Sequence, residues 1–275
     1  MMVGGSDRQK IGCSQMGAGM AKAVLGVVGV LALAMSACAG RHEARPAVPP
    51  GGLLMRTATI DSVEHRFAVW VPPTYDGSRP WPCVVFLHGS GECGMDGLKQ
   101  TTVGLGPAAQ ADPSQWACII VMPQKPRQAM EWEEFEAGVL SALEAARREF
   151  NIDPARIALT GLSQGGHGAW VLGARHAGLW SCVVPVCGYV HPSTIAPRLA
   201  GMPVWAFHGE KDVVVPSDGT RRTVEALRRE KSGQGGDVHG PEPRMTLYPD
   251  LGHNCWDKAY REEKLGEWVR GQVKQ

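Results

Sequence analysis

From Arg66 onward, short apolar runs alternate with segments of helical period. Arg66–Val71, Cys83–Leu87, Cys118–Met122, Arg156–Thr160, Cys182–Val186, Val204–Phe207 and Met245–Tyr248 have strand length. Several of these runs are apolar without interruption, as parallel strands covered on both faces are. Between them, Glu134–Phe150, Gly165–His176, Val224–Lys231 and Trp256–Val273 read as helices, the first with Phe135, Val139, Leu140, Leu143 and Phe150 near a helical spacing. Strand and helix in turn predict an α/β fold with a mostly parallel central sheet and helices on both faces. The Gly-, Pro- and polar-rich stretch Lys231–Arg244 reads as a surface loop before the last strand. There is no internal repeat.

The N-terminal pattern is different. Ala23–Ala34 is an unbroken run of apolar and Gly residues behind Arg8, Lys10 and Lys22, followed by small residues around Ser36-Ala37-Cys38-Ala39-Gly40. That is the form of an export signal, and the run is short against the about 20 apolar residues a membrane span needs. Either Met16 or Met20 could serve as the start and keep Lys22 in front of the run. Met35-Ser36-Ala37-Cys38 resembles a bacterial lipobox, which makes Cys38 the expected lipidation site; ordinary cleavage near Ala37 or Ala39 is the alternative. A lipidated Cys38 would anchor the chain by its acyl groups alone. Residues 1–38 are thus expected to be a signal peptide and 39–52, GRHEARPAVPPGG with its neighbour, a flexible tether. Residues 53–275 are expected to form one folded domain, exported and either held on a membrane facing the periplasm or cell exterior, or secreted.

The chain of 275 residues carries 28 Lys and Arg against 27 Asp and Glu. The leader holds only Arg8, Lys10, Lys22 and Asp7 of these, so the rest stays near neutral, which argues against a nucleic-acid partner. Six cysteines fall in the domain, Cys83, Cys93, Cys118, Cys182, Cys187 and Cys255. Export permits disulfides; Cys83, Cys118 and Cys182 sit in apolar runs where a thiol packs as a small hydrophobe, so at most one or two bridges are expected, of undetermined connectivity. No C-x-x-C, H-E-x-x-H or related ligand spacing occurs, and neither a metal nor another cofactor is expected.

The candidate chemistry lies in three loops. Gly161-Leu162-Ser163-Gln164-Gly165-Gly166 matches G-x-S-x-G between an expected strand and an expected helix, the context in which a serine is presented on a strained turn at a helix N-terminus. Such a hydroxyl needs a histidine base, itself held in one tautomer by a carboxylate. The chain order Ser, acid, His selects Asp212, in the loop after Val204–Phe207, and His253, in the loop after Met245–Tyr248. Glu210 and Asp218 lie close enough to be alternative acids. Developing negative charge on an acyl oxygen requires backbone donors; the amides of Gln164 and of Ser90, the latter between Gly89 and Gly91, are the candidates. His88 and His208 end apolar strands before Gly and read as structural; His167 lies past the turn on the serine helix. His65, His176, His191 and His239 read as surface residues. Trp132, Trp256 and Tyr189 are candidate walls of the site.

FLHGSGE with Leu98-Lys99-Gln100, Asn151–Ile157, Gly161–Gly166, His208–Asp212 and Gly252-His253-Asn254-Cys255-Trp256-Asp257 resemble the α/β-hydrolase superfamily. The resemblance is narrower to its phospholipase/carboxylesterase and feruloyl-esterase-like group, and runs from about Arg66 to Tyr260. It implies an α/β-hydrolase fold and a serine esterase acting on small or carbohydrate-linked acyl esters through an acyl-enzyme on Ser163. The short segment between the strands near Cys182 and Val204 leaves no room for a large lid. A prolyl-oligopeptidase-like peptidase, or a lipoprotein that binds a ligand on a hydrolase scaffold without catalysis, are the alternative readings.

Overall fold

The computed structural model describes residues 51–233, 239–262 and 264–274. The expected signal peptide, the expected lipidation site Cys38 and nearly all of the expected tether lie outside the described residues, as do residues 234–238 of the expected loop before the last strand. Among the described residues, no helix is long and apolar enough to cross a membrane.

Eight strands form one sheet: β1 (Gly52–Ile60), β2 (Val63–Val71), β3 (Trp81–Leu87), β4 (Ile119–Pro123), β5 (Ile152–Leu162), β6 (Cys182–Val186), β7 (Trp205–Gly209) and β8 (Arg244–Tyr248), in the order β1-β2-β4-β3-β5-β6-β7-β8. β1 pairs with β2 and β2 with β4 antiparallel; every pairing from β4 across to β8 is parallel. The helices are α1 (Leu105–Ala111), α2 (Glu136–Glu149), α3 (Gln164–Arg175), α4 (Pro192–Leu199), α5 (Asp218–Gly233), α6 (Trp256–Ala259) and α7 (Leu265–Gly271).

The two-residue period of the strands divides the core into two layers. In β3, Cys83, Val85 and Leu87 face the layer of α2 to α5, with Val139, Trp170, Ile195 and Leu227. Val84 and Phe86 face the opposite layer with Leu105, Ala259, Tyr260, Leu265 and Val269 of the α1, α6 and α7 side. Both faces of β3, β4 and β6 are therefore dry, which is why these three strands are apolar throughout.

Several features differ from the sequence expectation. β1 carries no long apolar run: it is an edge strand with exposed Met55, Thr57 and Thr59 among half-buried residues, so its pattern lacks the signal of the inner strands. The single helix expected over Trp256–Val273 is broken, α6 ending at Ala259 and α7 starting at Leu265. The cause is tertiary: Tyr260 is fully buried, its hydroxyl bonded to Thr160 Oγ1 at 2.9 Å, while Trp116 Nε1 donates to Tyr260 O at 3.1 Å and Gln115 Nε2 to Glu262 O at 2.6 Å. These contacts take carbonyls that a continuous helix would use. Finally, α5 begins at Asp218, a turn and a half before its apolar stripe, and reaches Gly233.

Candidate active site

Ser163 stands between β5 and α3 with φ 53° and ψ −117°, a backbone conformation that non-glycine residues rarely adopt. Its amide is fixed by a 2.9 Å hydrogen bond to Val186 O at the end of β6. The flanking glycines allow the turn: a Cβ on Gly161 would strike the Gly165 carbonyl, and one on Gly165 the carbonyls of Leu87 and His88. Gln164 follows as the first residue of α3, where backbone amides have no acceptor inside the helix.

The loops after β7 and β8 bring two further side chains to Ser163. Ser163 Oγ lies 2.9 Å from His253 Nε2, and His253 Nδ1 lies 2.7 Å from Asp212 Oδ2. The Asp212 side chain is fully buried, and its Oδ1 accepts from the amides of Val214 and Val215 at 2.9 and 2.8 Å. Burial is the largest single influence on Asp212 and opposes ionisation, but the bonds from His253, Val215 and Val214 together outweigh it and hold the carboxyl below its usual pKa. The three residues selected by chain order thus form one hydrogen-bonded series. Glu210 instead meets Arg221, and Asp218 meets Arg222, so neither alternative acid reaches His253.

A second histidine touches the same carboxylate. His208, fully buried at the end of β7, has Nε2 2.8 Å from Val215 O and 3.2 Å from Asp212 Oδ2, and Nδ1 2.7 Å from Thr220 Oγ1. A carbonyl accepts only, so Nε2 carries the proton and Nδ1 accepts from the threonine hydroxyl. Burial lowers the pKa of His208, which keeps the ring neutral. Sequence reasoning treated this residue as structural; its spacing of four from Asp212 was the available signal.

On the other side of Ser163, His88 plays a parallel part. Its Nε2 accepts from the Lys125 amide at 2.9 Å, so Nδ1 bears the proton and donates to Gly89 O at 2.6 Å. Burial first, and Lys125 in addition, lower its pKa to about 4. A trans peptide points its carbonyl and its N–H to opposite sides, so a bond that draws Gly89 O to the His88 ring turns the Ser90 N–H away from it. A Cβ on Gly89 would come within 2.9 Å of Leu162 Cδ1, whereas one on Gly91 would meet nothing within 4 Å; only the first glycine is required for close approach.

Ser90, Ser163 and Gln164 line an open cleft of about 740 Å³ with Gln128, Ala129, Tyr189 and the Val214-Val215-Pro216 segment. The wall at Gln128 and Ala129 is shaped by Lys125, a buried residue missed by sequence reasoning, whose Nζ donates to Arg127 O at 2.7 Å and also to Met130 O. The Gln164 side chain holds the same loop through Gln128 O at 3.0 Å. Of the expected wall residues, Tyr189 lines the cleft. Trp256 sets its ring edge-on to His253, with centroids 5.3 Å apart. Trp132 is a correction: it is fully buried beneath the site, donating from Nε1 to His88 O at 3.1 Å. His167 stacks on Tyr189 with centroids 4.5 Å apart and does not join the Ser163 series.

The family model named Esterase matches residues 61–271 of the chain. No curated protein sequence matches it. The fold is similar to the crystal structure of a thermostable esterase, with TM-score 0.69 and 28% identity over 80% of this chain and 63% of that one. This chain therefore spans less than two thirds of that esterase. It is also similar to an S-formylglutathione hydrolase from Agrobacterium tumefaciens (TM-score 0.61, 17% identity, 82% of this chain and 97% of that one). A ferulic acid esterase gives TM-score 0.61 and 14% identity over 80% of this chain and 98% of that one. At such identities the last two likenesses concern the fold alone.

Proposed function

The chain belongs to the Esterase family and has the α/β-hydrolase fold, and from that premise we propose that it hydrolyses carboxylic esters through an acyl-enzyme on Ser163. The observation that carries this reading is the unbroken series Ser163 Oγ, His253, Asp212 at 2.9 and 2.7 Å, opening on a cleft. In the proposed reaction His253 Nε2 takes the Ser163 proton as Oγ attacks the ester carbonyl. Asp212 holds the ring and stabilises its charged form. The amides of Gln164 and Ser90 receive the developing oxyanion. His253 then protonates the departing alcohol, and a water activated by the same nitrogen releases the acid.

The cleft supports an ester of a small acid or of an acid attached to carbohydrate. Between β6 and β7 the chain adds only the eight-residue α4, and no large lid lies over the cleft among the described residues. Its mixed wall, Tyr189 and Gln128 facing Val214, Val215 and Pro216, suits a compact acyl group with a polar leaving group. The leader pattern around Cys38 supports placing this activity outside the cytoplasm.

The test is hydrolysis of short- and long-chain p-nitrophenyl esters and of a peptide anilide by wild type and Ser163→Ala, with stoichiometric fluorophosphonate labelling. The expected result is short-chain ester turnover and labelling that both vanish in the variant, a fall of about four orders of magnitude or more in kcat. Turnover confined to the anilide would make it a peptidase; a wild type with neither turnover nor labelling would make it a binding protein.

A further inference from the structure

Behind the site, two buried cysteines from distant parts of the chain face each other. Cys187 follows β6 and Cys255 precedes α6, two positions after His253. Both are fully buried, with their Sγ atoms 2.8 Å apart. Cys187 also holds φ 50°, in the left-handed region that non-glycine residues occupy only when their surroundings enforce it. Its amide donates to Phe207 O at 2.9 Å.

We propose that Cys187 and Cys255 form a disulfide when the chain folds in oxidising surroundings, closing a loop from β6 to the segment that carries His253. The position gives the bridge a use. Ser163 hangs by its amide from Val186 O, the residue before Cys187, and His253 lies two residues before Cys255. One covalent link would thus join the support of the hydroxyl to the support of the imidazole.

The chemistry is thiol–disulfide exchange with a low-molecular-weight disulfide such as glutathione disulfide. One cysteine thiolate attacks the reagent and displaces one glutathione thiolate; the second attacks the mixed disulfide and displaces the other. Two protein thiols are oxidised, one reagent disulfide is reduced, and the two protons pass to the released glutathione. Contact with Cys187, and then burial, raise the pKa of the Cys255 thiol, so the thiolate forms more readily before the two loops close over it. The bridge is therefore expected to be made during folding and to be kept afterwards.

This inference stands apart from the ester reading, and its test needs no substrate. The full chain is refolded with glutathione disulfide, denatured in iodoacetamide without reductant, digested and mapped by mass spectrometry. The expected product is a peptide pair joining Cys187 to Cys255, lighter than the two thiol peptides by two hydrogen atoms, while Cys83, Cys118 and Cys182 are alkylated. Reductant should lower the Tm by about 5 °C or more, and the Cys187→Ala, Cys255→Ala variant should lose that response. Folded wild type in which both Cys187 and Cys255 are alkylated, or in which either is bridged elsewhere, overturns the proposal. Should the double variant not fold, the mapping of the wild type decides alone.

Discussion

The dipeptide His-Gly occurs at the ends of two inner strands, after β3 as His88-Gly89 and at the end of β7 as His208-Gly209. Both rings are fully buried and both are kept neutral by burial. Both glycines leave room for a neighbour: Leu162 presses on Gly89, and the carbonyls of Leu251 and Gly252 on Gly209. The loads differ. His88 grips a backbone carbonyl and so aims the Ser90 amide, whereas His208 shares its proton between the Val215 carbonyl and the Asp212 carboxylate and so steadies Asp212. The same local solution, a neutral donor buried under a tight turn, serves a fixed dipole in one loop and a charge in the other.

Three substitutions probe that comparison. Asp212→Asn removes what His208 holds; it should keep the fold and lower kcat by about 10⁴-fold, since the imidazole is then offered the wrong tautomer. Normal ester turnover by this variant would transfer the acid role elsewhere.

His88→Gln loosens the aim of the Ser90 amide. The expectation is a loss in kcat of up to about 10²-fold with KM little changed, because in the proposed reaction that amide serves the transition state. It also tests the burial of the ring. The His88 pKa falls from 6.5 to about 4 on folding, so between those values the unfolded chain binds the extra proton. Its contribution is complete above about pH 6.5 and is lost as the pH drops toward 4, on the order of 3 kcal/mol. Unfolding midpoints measured at pH 7 and pH 5 should therefore diverge less in His88→Gln than in wild type; equal divergence would contradict the neutral buried ring.

His208→Gln should have the smallest effect, about tenfold in kcat, the value of one hydrogen bond to a charged group. A loss as large as that of Asp212→Asn would show that the two His-Gly units are not equivalent supports and that His208 sets the position of the acid by itself.

The parallel heart of the sheet was legible because burial on both faces leaves an apolar run with nothing to confuse it: the runs at Cys83–Leu87 and Cys182–Val186 correspond to β3 and β6 almost residue for residue. β1 was not, since an edge strand paired on one side keeps polar residues such as Arg56 and Thr57. Nor were α1 and α4, short helices carrying Pro107 and Pro197. Within the site, the hydrogen-bonded series of Ser163, His253 and Asp212 was legible because the expected chemistry prescribes residue types and their order. Lys125 and His208 could not be assigned in that way, because they act on backbone and on a neighbour; nothing in the residue type tells a supporting lysine from a solvated one. Trp132 misled for the opposite reason: an aromatic in a loop beside a cleft is as well suited to its floor as to its wall.

The backbone of Ser163 has a consequence for how such a site persists. A residue other than glycine at φ 53° and ψ −117° costs on the order of 1–3 kcal/mol, a sizeable part of the roughly 5–15 kcal/mol by which a domain of this kind stays folded. Selection for thermal robustness alone would therefore tend to install glycine at this position. On the proposed mechanism, serine at this position exchanges durability for a hydroxyl held where it can react, with the surrounding sheet left to carry the difference.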